Sequence, residues 1–378
     1  MNKKIRILEV NKAYFPHTGG IETLVKQYSQ DLQKNGFEVN TLVCRDGFGK
    51  AYHETIDNIN VTRAGSLGTY FSCPLSLSFI KFFRKMSEDA DIIHIHVPFP
   101  LADLALLLSG YKGKVIISWH SDVVKQKKLL VLYKPLLKYL LNRADCILVA
   151  TKGHIKGSEW LKKYKSKCKV LPYGINPDNY SNIHRRSILK EISSNPDGIK
   201  VFFTGRLVYY KGVDTLIKAF RKVNSNCELF IAGTGVLENQ LKEMAYKYGL
   251  SERVHFLGFL PEEQLKQAYS DCDIFVLPSV ARSEAFGIVQ LEAMFYGKPV
   301  INTNLESGVP YVSIHGKTGL TVQPENSVQL AKTINFLCEN KSIREKFGKS
   351  ARERVLTVFN ENNIIKRLCK IMTDEVNK

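Results

Sequence analysis

Four charged residues in the C-terminal half carry the chemistry that the sequence shows best. Glu284 and Glu292 lie in SEAFGIVQLEAM, and Arg206 and Lys211 lie in GRLVYYKG. Carboxylates accept hydrogen bonds from sugar and ribose hydroxyls. A guanidinium fork and a mobile ammonium clamp a diphosphate and stabilise it as it departs. Between the carboxylates, Ala285-Phe286-Gly287-Ile288 reads as a loop turning into a helix, and the free N–H groups at a helix start attract phosphate. One short stretch can thus grip both ends of a nucleotide sugar. Two positions eight apart on a continuous helix are about 80° apart around its axis. Glu284 is therefore expected in the loop and Glu292 inside the helix. Glu292 sits among Val289, Leu291, Ala293 and Met294, and a carboxylate so placed needs hydrogen-bond donors, which a ribose diol supplies.

Further candidates lie at the ends of strand-like runs. Gly19-Gly20 opens a helix in PHTGGIE, where paired glycines let backbone N–H groups approach an anion. It is not the G-x-G-x-x-G dinucleotide fingerprint, which argues against a nicotinamide or flavin enzyme. His120 in WHSD closes a strand, where a polar side chain meets ligands. Gly235 in GTG makes either a phosphate-binding turn or a tight strand-to-helix connection. Phe259 in FLGFL is either a platform for a base or a core aromatic.

Strand-like and helix-like runs alternate from end to end, as in parallel sheets covered by helices. The first half should hold strands at Ile5–Val10, Glu38–Val43, Ile59–Thr62, Asp91–Ile95, Lys114–Ser118, Cys146–Ala150 and Lys169–Leu171, with helices near 20–35, 75–88, 99–109, 129–142 and 152–165. The second half should hold strands at Lys200–Thr204, Glu228–Ala232, Val254–Leu257, Ile274–Leu277, Val300–Asn302 and Leu320–Val322. Its helices fall near 212–223, 235–248, 261–269, 286–297 and 325–338, with two more beyond. The fold class is α/β, with two Rossmann-like, doubly wound domains facing across a cleft. Residues 1–180 form the first and 181–378 the second, and the last helix packs back toward the first. The boundary falls in Pro172–Pro196, rich in Pro, Asn, Ser and Gly. Ligands bind outside the carboxyl ends of such sheets.

A chain of 378 residues exceeds one ordinary core, and 44% hydrophobic with 24% charged residues describes an ordinary globular protein. Eight cysteines without a C-x-x-C pair read as buried free thiols in a reducing cytosol. The N-terminal apolar run is too short for a signal peptide, and no stretch approaches the ~20 apolar residues of a bilayer span. A cytoplasmic protein is expected. The net charge of +18 is uneven: residues 125–169 hold 13 Lys and Arg against two Asp and Glu. There KQKKLLVLYKPLLKYLLNR interleaves leucines with lysines, either as an interfacial helix on anionic lipid or as a core-packed helix with a solvated basic face, and Pro135 is a candidate break. No helix-turn-helix, zinc or RNA-binding signature accompanies the charge, so nucleic acid is not an expected partner.

Taken together, GG-x-E near the start, WHSD, LPYGIN, GRLVYYKGVDTLI, the E-x7-E stretch and HGKTGLTV resemble the motifs of the retaining glycosyltransferases of family 4, which have the GT-B fold. The resemblance covers almost the whole chain. It implies that Arg206 and Lys211 bind the donor pyrophosphate, Glu292 the ribose, Glu284 the transferred sugar, and Gly20 with the 286–288 backbone (Phe286, Gly287, Ile288) the phosphates. His120 would lie beside the sugar at the reaction centre. Catalysis would then rest on Glu284, His120, Arg206 and Lys211. Two departures fall at Tyr173, where the family often has Asn, and in the Gly233–Val236 turn, with Thr234 for an acidic residue and Val236 for proline. Asn304–Pro310 is similar to enzymes that build bacterial O-antigen or capsule repeats. The implied reaction moves a hexosyl residue from a GDP-mannose or UDP-hexose type donor to a saccharide acceptor, lipid-linked through polyprenyl pyrophosphate. No cofactor or metal is implied, because the protein supplies the cations. With no second acid opposite Glu284, front-face attack is expected, the leaving phosphate oxygen taking the acceptor proton. The alternatives are a GT-B sugar-nucleotide epimerase and a non-catalytic nucleotide-sugar-binding protein.

Overall fold

The computed structural model describes residues 4–17, 19–70, 73–122, 127–181 and 187–378, with only the backbone course of 127–132 and 181. The chain divides into two compact units: Met1–Pro172 with Ile364–Lys378, and Tyr173–Asn363. The break precedes the 180/181 boundary read from the sequence, because the residues after Pro172 already pack in the second unit. Tyr173 meets the Phe286 ring edge-on at 4.9 Å, and Ile175 bridges to Asn360. Of the segment read as the linker, 182–186 lie outside the described residues.

In the first unit the main sheet comprises β1 (Arg6–Val10), β2 (Glu38–Cys44), β3 (Tyr52–Ile56), β4 (Ile59–Ala64), β5 (Ile92–Val97), β6 (Lys114–Trp119), β7 (Cys146–Val149) and β8 (Cys168–Val170), in the order β8-β7-β6-β5-β1-β2-β4-β3. All neighbours are parallel except β3, which pairs antiparallel with β4. Helices cover the parallel strands on both faces, so these read as unbroken apolar runs, and β5 is buried at every position. The edge strand β3 was not foreseen. Its sequence YHETI is exposed or half-buried throughout, and its hairpin turns on Asp57-Asn58, both at positive φ without a glycine.

The helix expected at 152–165 is two pieces, Lys152–Gly157 and a 3₁₀ segment Leu161–Lys167. Ser158 takes an extended conformation between them, and its Oγ accepts from the Leu161 N–H. The helix Lys127–Arg143 runs through Pro135 rather than breaking. Where its side chains are described, Leu137, Leu140 and Leu141 are buried in the core and Lys134 and Lys138 are exposed. That part is a core-packed helix with a basic outer face; Lys125 lies outside the described residues, as do the side chains of Lys127 and Lys128.

The second unit is a wholly parallel sheet of β9 (Ile199–Thr204), β10 (Cys227–Ala232), β11 (Val254–Gly258), β12 (Ile274–Leu277), β13 (Val300–Thr303) and β14 (Gly319–Val322), ordered β11-β10-β9-β12-β13-β14. The order reverses between β9 and β12, and at such a switch point the connecting loops diverge and open a crevice at the strands' carboxyl ends. Among the described residues no helix is long and apolar enough to cross a membrane. The eight cysteines are unpaired.

Candidate functional site

The loops after β9 and β12 meet at the switch point. Residues Tyr209–Lys211 form a 3₁₀ turn, and Gly212, at φ 66°, links it to the helix Val213–Phe220. A side chain at Gly212 would collide with the Pro278 carbonyl, so glycine is what lets this loop lie against the β12 loop. The Val280 N–H donates to the Tyr210 carbonyl at 2.8 Å and fastens the two together. As a result Lys211 Nζ lies 2.6 Å from Glu284 Oε2, with both side chains about nine-tenths buried. The ammonium also packs over Gly205, 3.5 Å from where a Cβ would stand. Ser279 Oγ donates to the same Glu284 oxygen at 3.0 Å, and the Ser279 carbonyl accepts from Thr303 Oγ1 at 2.6 Å.

Arg206 stands at the edge of this pair, exposed, with Nη2 3.2 Å from the Tyr210 hydroxyl. The Tyr210 ring in turn lies 5.5 Å from Lys211 Nζ. Arg206 and Lys211 thus both meet Tyr210, and Glu284 joins them through Lys211.

Glu292 is held differently. It lies inside the helix Val289–Phe295, and Glu284 lies in the preceding loop, as the spacing required. The hydroxyls of Tyr180, at 3.2 Å, and Tyr269 donate to its two oxygens. The donors expected from a ribose diol are therefore already present as protein hydroxyls. Burial raises the Glu292 carboxyl above its ordinary value, partly offset by those two bonds, and burial likewise raises Tyr180 and Tyr269.

The glycines and aromatics divide. Gly287 has φ 76°, and a Cβ there would come within 2.5 Å of Leu277 Cδ2. Its turn leads into the helix Val289–Phe295, where the Gln290 and Leu291 N–H groups donate to the Gly287 and Ile288 carbonyls at 2.9 and 2.7 Å. Gln290, fully buried, fixes that turn by donating to the Phe286 carbonyl at 2.9 Å and accepting from Asn302 Nδ2 at 2.9 Å. Phe286 is buried against Tyr173 and Phe359, which takes its ring out of reach of a ligand; Ile288 caps the helix. Gly20 begins the helix Gly20–Lys34 with open space at its Cβ position; Thr18 before it lies outside the described residues. Gly235 belongs to a tight connection: a Cβ would stand 2.7 Å from the Leu207 nitrogen, so protein backbone accounts for this glycine. Phe259 follows β11 and is 78% exposed, which makes it a surface aromatic and not part of the core.

In the first unit His120 follows β6 and is buried within a chain of polar groups that the sequence reading passed over. His120 Nε2 lies 2.9 Å from His96 Nδ1, His96 Nε2 3.0 Å from Glu9 Oε2, Glu9 Oε1 2.9 Å from His94 Nδ1, and His94 Nε2 2.8 Å from Ser118 Oγ. The strands β1, β5 and β6 set this up, since Glu9 pairs with His94 and Ser118 with His96 across the sheet. Two histidines two apart on a strand share a face, the one sequence signal that pointed here. The donor atoms of Glu9, His94 and His96 lie within 4.8 Å of one another. The hydrogen bonds account for their closeness without an ion.

Residues 184–354 match the family of glycosyl transferases group 1, and residues 18–179 match glycosyltransferase family 4. The chain belongs to these family 4 glycosyltransferases and has the GT-B fold. It is 31% identical to O-antigen chain mannosyltransferase C of Escherichia coli, over 98% of each chain. It is also 31% identical to D-rhamnosyltransferase WbpZ of Pseudomonas aeruginosa, over 94% of this chain and 92% of that one. Among solved structures, sucrose-phosphate synthase from Thermosynechococcus elongatus is similar with a TM-score of 0.81 at 20% identity, covering 98% of this chain and 99% of that one. HepE of Anabaena in complex with UDP gives 0.80 at 18% identity, covering 98% and 100%.

Proposed function

We propose that this glycosyltransferase moves a manno-configured hexosyl residue from a nucleotide-sugar donor to a saccharide acceptor carried on polyprenyl pyrophosphate, with retention of configuration, in the synthesis of a bacterial surface polysaccharide. The observation that carries the reading is the buried Lys211–Glu284 pair with Arg206 beside it, at the carboxyl ends of β9 and β12. Arg206 and Lys211 stabilise the departing diphosphate, and preorganised donors of this kind are commonly worth about 3 kcal/mol each. Glu284 accepts from hydroxyls of the transferred sugar, Glu292 with its two tyrosines meets the ribose, and the backbone at 286–288 meets phosphate. The leaving phosphate oxygen takes the proton of the attacking hydroxyl on the same face. These protein cations do the work of a divalent metal, so transfer should persist in a chelator. A mannosyl donor is favoured because the two relatives at 31% identity are named for mannose and for D-rhamnose, its 6-deoxy form. A UDP-hexose donor has the support of HepE, solved with UDP. Attraction of the basic segment 125–169 to anionic lipid would keep the enzyme on the inner face of the cytoplasmic membrane.

The test is to offer nucleotide sugars with a polyprenyl-pyrophosphate saccharide and determine the product's anomeric configuration by NMR. An inverted linkage overturns the mechanism. Isomerisation of the donor without acceptor favours an epimerase, and binding without transfer or hydrolysis favours a sensor.

A further inference from the structure

Cys227 and Cys338, 111 positions apart in the chain, meet in the second unit with their Sγ atoms 2.8 Å apart. Cys227 is the first residue of β10, and Cys338 lies one residue before the end of the helix Ser327–Glu339. Three hydrogen bonds hold the turn before β10 to that helix. The Asn224 N–H donates to Asn335 Oδ1 at 2.9 Å, Asn224 Nδ2 to Glu339 Oε1 at 2.8 Å, and Asn335 Nδ2 to the Lys222 carbonyl at 3.0 Å. With both backbones tied together, a sulfur–sulfur bond of about 2.05 Å has a gap of only roughly 0.8 Å to close.

Cations flank the pair. Arg253 Nη2 donates to the Cys227 carbonyl at 3.0 Å and Arg344 Nη1 to the Cys338 carbonyl at 2.8 Å. Positive charge beside a sulfur favours the thiolate, which is the form that reacts. The hydrogen bond with Cys338 pulls the Cys227 thiol below its ordinary value against the effect of burial, and Arg253 and Arg344 add to that pull. Burial instead pushes Cys44, Cys146 and Cys272 up to about 12. Cys227 is buried, and half-buried Cys338 gives a small oxidant its way in.

We propose that Cys227 and Cys338 are a reversible redox site, which a hydroperoxide converts to a disulfide stapling β10 to the helix Ser327–Glu339 and which a thiol reductant restores. With hydrogen peroxide, one sulfur forms an S–O bond as the O–O bond breaks, and the departing oxygen leaves as water. The other sulfur then forms the S–S bond as the S–O bond breaks, releasing a second water. The two thiol protons end in the two waters, and two electrons pass from the sulfurs to the peroxide. Cys227 lies at the amino end of β10, whereas Arg206, Lys211 and Glu284 lie on loops that follow the carboxyl ends of β9 and β12. The bond closes a loop of 111 positions, and restraining the unfolded chain over so long a loop favours the folded unit.

The experiment uses the full chain, reduced and then treated with hydrogen peroxide, its remaining thiols blocked with iodoacetamide before proteolysis and mass spectrometry. The expected product is a pair of peptides joined through Cys227 and Cys338, two hydrogens lighter than its parts and separated by dithiothreitol. In calorimetry the oxidised second unit should melt at least about 4 °C above the reduced one. Cys227→Ser and Cys338→Ser should each abolish both the link and the rise. The parent with and without peroxide gives the same test without relying on the folding of either variant. Two alkylated thiols after peroxide, a sulfinic acid without a link, or a link to another cysteine overturns the proposal. A Cys227–Cys338 link that leaves the melting temperature unchanged refutes the staple. Neither readout involves a nucleotide sugar, so the outcome is independent of the proposed function.

Discussion

Lys211→Met tests whether the buried ion pair is structural, catalytic or both. At 2.6 Å the attraction is about 6 kcal/mol for an effective dielectric near 20, and desolvation of the two charges cancels part of it. Removing one partner of such a pair strands the other and costs roughly 3–5 kcal/mol. Ser279 Oγ would still donate to the stranded Glu284, which places the expected loss near the lower end, about 3 kcal/mol. For a unit of this size that corresponds to a fall of about 6–12 °C in the melting of the second unit, followed calorimetrically. In Lys211→Met with Glu284→Gln no charge is left buried, and stability should return to within about 1 kcal/mol of the parent. Activity should not return, because the cation for the diphosphate is absent; transfer stays down by about 100-fold or more in both variants. A single variant that melts like the parent refutes the energetic argument. A double variant that regains transfer along with stability shows that Lys211 never touched the donor.

Arg206→Ala should lower turnover by about 100-fold without changing the melting temperature, since Arg206 is exposed and its side chain bonds only to Tyr210 among the described residues; near-normal turnover in a steady-state assay removes it from the site. Glu284→Gln should bind a free nucleoside diphosphate more tightly than the parent by calorimetry, because Lys211 is released to it, yet transfer more slowly; weaker binding would place the diphosphate elsewhere. Glu292 has a carboxyl raised by burial above the ordinary 4.5, so it favours the folded state below that value and loses this contribution as pH rises through its folded pKa. The melting temperature of Glu292→Gln relative to the parent should therefore climb as pH rises above the ordinary 4.5, and a flat difference contradicts the burial. Gly287→Ala forces a Cβ at φ 76° within 2.5 Å of Leu277 and should cost about 1–3 kcal/mol together with donor affinity, measured by thermal shift with and without nucleotide.

The parallel strands were legible because a sheet covered on both faces writes its burial into an unbroken apolar run, as Ile92–Val97 and Ile274–Leu277 do. Strand β3 was illegible for the converse reason: an edge strand half in water has no such run, and its Asp57-Asn58 turn lacks the glycine that marks a hairpin. At the site, residue types and the loop-to-helix placement of Glu284 and Glu292 were readable from local spacing. Partnerships were not. Nothing near Glu292 in the chain announces Tyr180, and nothing near Lys211 announces that its first partner is Glu284. Those contacts follow from the register of distant strands, which local sequence does not carry.

Three carboxylates, Glu9 and Glu284 buried and Glu292 half-buried, show how much that distinction matters. Glu9 bonds to two histidine rings, Glu292 accepts from two tyrosine hydroxyls, and Glu284 faces a lysine ammonium. Hydrogen bonds from neutral donors leave a carboxylate's charge in place and direct it, whereas an ammonium at 2.6 Å cancels it. On the proposed function, an anionic donor would offer Lys211 a diphosphate in exchange for Glu284, and the carboxylate so released would keep the Ser279 hydroxyl and need a further donor. A sugar brings hydroxyls to that position and a bare diphosphate does not. On that reading the Lys211–Glu284 pair would discriminate between substrate and by-product by what each leaves unsatisfied, a selectivity that two isolated charges would not have.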